Sequence, residues 1–127
     1  MEMLQHHDLG YTDVFVFEDY LINQIKDGVV ISYEHYDVLK NFVDTYFSDR
    51  NLVYLSNRVN SYTVNPLVHR KVSTIDNLLG VGIVVDTSLK EQAALFEKQF
   101  FDKEFEIFLT LQEGILWATA LLNNNKV

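Results

Sequence analysis

Apolar positions in this chain fall first into short runs and then into stripes at helical spacing. Val14 to Phe17 form one run, and after a polar break at Asp19 and Tyr20 a second continues through Leu21, Ile22, Ile25 and Val29 to Ile31. Two early antiparallel strands are predicted, with a bend or bulge at Asp27-Gly28. From Ser32, a capping residue, Tyr36, Leu39, Phe42, Val43, Tyr46 and Phe47 recur every three or four positions, while Glu34, Asp37, Lys40, Asn41 and Asp44 take the other side. That spacing predicts a first long helix. Leu52 to Leu55 read as a buried strand, residues 57–65 stay polar, and Asn65-Pro66 supply a cap and a first helical residue for a short helix reaching about Leu78.

The second half is punctuated by two Ser/Thr-x-x-Glu boxes, Ser88 to Glu91 and Thr110 to Glu113. In such a box the hydroxyl accepts from a backbone N–H one turn on, and the glutamate reaches back to the cap N–H. Each box follows an apolar run, Gly80 to Val85 and then Phe105 to Leu109, so the order strand, helix, strand, helix is predicted. Leu89, Ala93, Phe96 and Phe100, widened by Ala94 and Phe101, trace the expected inner face of the first of these helices, with Lys90, Glu91, Glu97 and Lys98 outside it. Ile115, Ala118, Leu121 and Leu122, with Trp117 at the edge, do the same for the closing helix. Gly80 and Gly82 within their strand suit close approach of a neighbouring backbone. The fold class that results is α/β, a mixed sheet of about five strands with helices packed around it.

Length and composition narrow the rest. At 127 residues, 48% of them apolar, the chain can bury one core, and residues 1–127 read as a single domain whose first twelve residues are expected to be flexible. A formal net charge of -8 argues against nucleic-acid backbones and anionic membranes as partners, since both are bound mainly by clustered Lys and Arg, which are sparse and dispersed here. With no cysteine, thiol chemistry and thiolate metal sites are excluded. Neither a signal-like N-terminus nor a membrane-length apolar run is present, and a cytoplasmic protein is expected.

The element order from Val14 to Leu122, the closing EFEIFLTLQEGILWATALL with Glu113 and Trp117, and the run NLVYLSNRVNSYTVNPL resemble the STAS or SpoIIAA-like proteins. That group includes sporulation anti-sigma-factor antagonists and the tails of sulfate transporters. The chain is also similar to small bacterial proteins described as STAS and CRAL-TRIO-like. The resemblance implies a regulatory, non-enzymatic module that binds another protein. Regulatory members carry an Asp-Ser pair whose serine is phosphorylated; here the region reads NSYTVNPL, the pair is absent, and the nearest hydroxyls are Ser61 and Thr63. A phosphate there, near a helix start, would be electrostatically tolerated and would obstruct a docked partner.

Candidate function therefore rests on a loop. Asn57, Arg58, Asn60, Ser61 and Asn65 lie beyond the carboxyl end of a central strand, where open α/β sheets bind ligands, and Asp86 leaves the adjacent strand at the same edge. Arg58 is the cation of the group, and its planar fork suits a carboxylate or phosphate on a partner. The alternative is that Asn and Ser form local turns and Arg58 pairs with Asp86 or Glu18. His6 and His7 beside Asp8 lack the geometry of a closed metal site, and His35 and His69 stand alone. No nucleophile elbow, phosphate loop, dinucleotide fingerprint or zinc motif occurs, so no catalytic residue, metal or cofactor is expected. An unidentified protein is the expected partner, with a homodimer also compatible. The second functional reading is a small-molecule or lipid carrier of CRAL-TRIO type, its pocket lined by Tyr46, Phe47, Phe96, Phe100 and Phe101. Against it stands the core volume that such a pocket would hollow out.

Overall fold

The computed structural model describes residues 3–125. Strands β1 (Gln5–Asp8), β2 (Thr12–Val16) and β3 (Tyr20–Ile25) form an antiparallel meander, followed by the short β4 (Val30–Ile31) and helix α1 (Tyr33–Tyr46). Next come β5 (Leu52–Asn57), the short β6 (Thr63–Val64) and α2 (Leu67–Val72). The chain ends with β7 (Leu78–Val84), α3 (Ser88–Lys98), β8 (Glu104–Phe108) and α4 (Leu111–Asn124). The main sheet has six strands in the order β1-β2-β3-β5-β7-β8, with β3, β5, β7 and β8 parallel, and β4 pairs with β6 in a separate two-stranded ribbon. The strand count exceeds the expected five because β1 forms where a loose terminus is predicted; residues 1 and 2 of that stretch lie outside the described residues.

The crossovers through α1, α2 and α3 advance the strand order in one direction, which lays all three helices on one face. Val14, Leu21, Leu52, Val81, Ile83 and Phe105 from the sheet bury there against Tyr36, Val43 and Phe47 of the α1 segment, Val68 and Val72 of α2, and Ala94 of α3. On the opposite face α4 packs Ala118 and Leu122 against Tyr20, Ile22, Val53 and Leu55. The close approach of β8 and α4 to β7 depends on glycine in that strand. A Cβ on Gly80 would lie 2.9 Å from both the Cβ and the backbone oxygen of Glu104, and one on Gly82 would lie 2.7 Å from Leu55 Cδ2 and 3.2 Å from Trp117. Gly28 holds φ +76, the left-handed value that a side chain disfavours, and turns the chain between β3 and β4 where the bend is predicted.

Helix starts follow local polar chemistry. Thr110 Oγ1 accepts from Glu113 N–H at 3.2 Å, as the sequence indicates. For α3 the cap is Thr87 rather than Ser88: its side chain accepts from Lys90 N–H at 3.2 Å, one residue earlier than the predicted box. Asn65 Oδ1 accepts from Leu67 N–H at 3.1 Å at the start of α2, which stops at Val72 because Leu78 already belongs to β7.

The larger departure is the rotation of α3. Its predicted inner stripe faces outward: Leu89 is 77% exposed and Phe96 54%, with Ala93 also exposed, while Ala94, Glu97 and the following Phe101 are buried. Both faces, 89/93/96/100 and 90/94/97/101, have helical spacing. Apolar content favours the first, since Lys90 and Glu97 stand on the second, whereas an ion pair inside the domain selects the second.

Candidate functional site

At the carboxyl ends of β5 and β7, Arg58 N–H donates to Val84 O at 2.9 Å, which ties the first loop residue to the sheet and turns its side chain toward α2 and α3. The guanidinium is buried, with 7% of the residue exposed. Nη1 donates to Glu97 Oε2 at 2.7 Å and Nη2 to Glu97 Oε1 at 2.5 Å, a two-pronged pairing that fixes α3 against the loop. His69 Nε2–H from α2 donates to the same Oε1 at 2.7 Å. Arg58 therefore does not project at a partner, and neither Asp86 nor Glu18 pairs with it. Asp86 instead binds Lys90 Nζ at 2.8 Å, and Lys90 also donates to Arg58 O at 3.0 Å.

The electrostatics follow from this packing. Burial pushes the Glu97 carboxyl up, but hydrogen bonds from Arg58 and His69 and the Arg58 charge outweigh it, leaving the group at about 2. For Arg58 burial pushes downward, yet the Glu97 carboxylate raises the guanidinium above its ordinary value, so both partners stay charged. The guanidinium carbon lies 5.3 Å from the centroid of the Tyr62 ring, and Arg58 Nε is buried with no hydrogen-bond partner. Arg58, Glu97 and His69 form a latch joining β5, α3 and α2. Glu97 escapes sequence reasoning because its contact with Arg58 spans 39 positions with no local signature. The signal present was the alternative α3 face through Ala94 and Phe101.

The polar loop is anchored by its own residues. Asn60 Nδ2 donates to Ile25 O at 3.0 Å, Ser61 N–H to Asp27 Oδ1 at 3.0 Å, and Gly28 N–H to Ser61 O at 2.8 Å. Between this loop and α3 runs an open groove of about 310 Å³, with Asn60, Ser61 and Thr63 on one wall and Leu89, Ala93 and Phe96 on the other. Lys90, Arg58 and Glu97 also line it. The expected site residues thus divide. Asn60, Ser61 and Thr63 share the groove; Asn57 bonds Gln24 Oε1 at 3.1 Å instead, Asn65 caps α2, and Asp86 is held by Lys90.

A second feature lies beneath α1, a cavity of about 70 Å³ with Ile25, Leu39 and Phe42 among its apolar walls and Asn23, Tyr54, Ser56 and Tyr62 among its polar lining. Thr12 donates to Asn23 Oδ1, Asn23 Nδ2 donates to the Tyr54 hydroxyl at 2.7 Å, and Ser56 and Tyr62 share a hydrogen bond of 2.9 Å. Burial holds the Tyr54 phenol well above its ordinary value. None of Tyr46, Phe47, Phe96, Phe100 and Phe101 lines this cavity. Its volume is enough for a few waters and far below the roughly 300–1,000 Å³ of small-molecule sites.

The N-terminal histidines belong to β1 rather than to the flexible terminus expected from the sequence. His6 stacks on Phe15 at 4.7 Å between centroids, and His7 packs against Phe42 and Tyr46. Among the described residues no group of three or more His, Asp or Glu side chains is placed to hold a metal ion, and no helix is long and apolar enough to cross a membrane.

The fold is SpoIIAA-like. A solved structure with this architecture, an uncharacterized protein from the DUF3478 family of Shewanella loihica PV-4 described as having a SpoIIAA-like fold, aligns with a TM-score of 0.58 at 15% identity. The alignment covers 93% of this chain and 98% of the other. No family model and no curated protein matches the sequence. At 15% identity the likeness establishes the fold and leaves function to the site.

Proposed function

We propose that this chain is a non-enzymatic protein-interaction module of STAS-like type whose working surface is the groove between residues 58–64 and α3. The observation that carries this reading is the outward apolar stripe of α3, with Leu89 77% and Phe96 54% exposed beside a pinned polar loop. An apolar strip with a polar rim is the usual anatomy of a docking surface. Catalysis lacks support in the same place: Arg58, Glu97 and His69 are buried and bonded to one another. Ser61 and Thr63, both exposed on the groove, are where a phosphate would add charge and bulk against a partner. The test compares Asn60→Ala and Leu89→Ser with Lys40→Ala in recovery of the partner from the native host. Loss in the first two alone supports the reading, and equal retention by all three places the functional surface elsewhere.

A small-molecule carrier is the second reading, favoured by the apolar walls and polar end of the cavity under α1. Its size argues against it. Native mass spectrometry of gently isolated protein should show the bare chain mass, and a stoichiometric adduct would reverse the ranking.

A further inference from the structure

Leu89, Ala93, Phe96 and Phe100 are separated by four, three and four positions, the d-a-d-a spacing of a coiled-coil seam. Such a stripe is narrower than the face that a globular core usually takes from a helix, and it suits another helix laid along it. Here it is turned to solvent, since the latch through Glu97 holds the adjacent face inward. Ala93 at its centre leaves room for a second helix axis to approach to about 8–10 Å. The Phe96 and Phe100 rings lie 5.5 Å apart, and the Arg70 guanidinium sits 5.4 Å from the Phe100 centroid, so the stripe continues to a cation at its far end.

Charge decides which helix fits. Residues 57–103 hold six Lys or Arg against five Asp or Glu, whereas the rest of the chain holds four against thirteen. The seam lies in the part of the molecule that is not acidic. Its flanking positions are Lys90, itself bound to Asp86, on the groove side and Gln92 and Gln99 on the other, with the exposed Arg70 beyond; the flanking Glu97 is buried and already paired. We infer that α3 and the loop beside it form a docking surface for an amphipathic helix with carboxylates flanking its apolar stripe. This rests on the interaction-module reading above. A second copy fits less well, because two-fold pairing would set each seam's Lys90 and Arg70 against those of its mate. An anionic lipid surface fits less well because the chain as a whole carries -8.

The probe is a fluorescein-labelled three-heptad peptide with Leu at a and d and Glu at e and g, charges that also keep it from pairing with itself. Its twin carries Lys at e and g. In fluorescence anisotropy the Glu peptide should bind at least about tenfold more tightly than the Lys peptide, a difference of about 1.4 kcal/mol. Binding should weaken as salt rises. The double variant Leu89→Ser, Phe96→Ser should lose the peptide while melting like the parent, and Leu116→Ser, an exposed leucine on α4, should keep it. Equal or absent binding of the two peptides overturns the inference. So does a dimer in sedimentation that Leu89→Ser dissolves, or adsorption of the protein to anionic vesicles. If the Glu peptide fails while the native partner still depends on Asn60 and Leu89, only the chemistry assigned to the partner is wrong; if that dependence is also absent, the interaction reading fails with it.

Discussion

Arg58 shows how far burial changes the meaning of one residue. On the surface its removal would be mild, but the structure buries it against a carboxylate, so Arg58→Ala leaves the charged Glu97 with His69 alone as a partner. That should cost about 3–5 kcal/mol in denaturant unfolding. Replacing both partners with methionine should recover most of the loss, because desolvation of the pair offsets much of its attraction. The pH dependence follows from the depressed carboxyl. Glu97 sits at about 2 in the folded chain against an ordinary 4.5, so its contribution is complete above about 4.5 and is lost as pH falls toward 2. Glu97→Gln should flatten the fall in stability across that window; an unchanged acid profile would show that the latch is not formed.

At the level of elements, the first helix and the closing helix are legible because each has one apolar period and a matching cap, and the strand after the first helix because it is a short apolar run between polar breaks. For α3, two faces share the same period, and the choice depends on Arg58, which lies far away in sequence. Stability measurements separate the faces. Phe101→Ala should cost about 3–5 kcal/mol, while Phe96→Ala should stay within about 0.5 kcal/mol; the reverse order would restore the rotation first expected. The cap makes a parallel test: Thr87→Ala should cost about 1 kcal/mol and Ser88→Ala close to nothing. The β7 glycines were readable as sites of close approach, and the structure gives the reason. Gly80→Ala should cost about 1–3 kcal/mol, since its new methyl meets the Glu104 backbone rather than a side chain able to swing aside.

For the whole molecule, the pattern of apolar runs was enough to indicate an α/β sheet with helices around it, and the SpoIIAA-like architecture agrees. The terminal strand was not legible because Gln5 to Asp8 is polar; it pairs through its backbone with β2, which no side-chain pattern records. The candidate loop was legible as a place, from its length and polarity beyond a central strand, but not as a surface, because the apolar wall comes from another helix and Arg58 points inward. Core, latch and loop together hold α3 with its hydrophobic stripe to solvent, and on the proposed function a protein partner covers that stripe. A photo-crosslinking amino acid placed at Leu89, and in parallel at Leu116, also exposed but on α4, tests this in the native host. A discrete adduct from Leu89 and none from Leu116 is expected; a bare α3 with the adduct at Leu116, or the same adducts from both, would show that the stripe is not the covered surface.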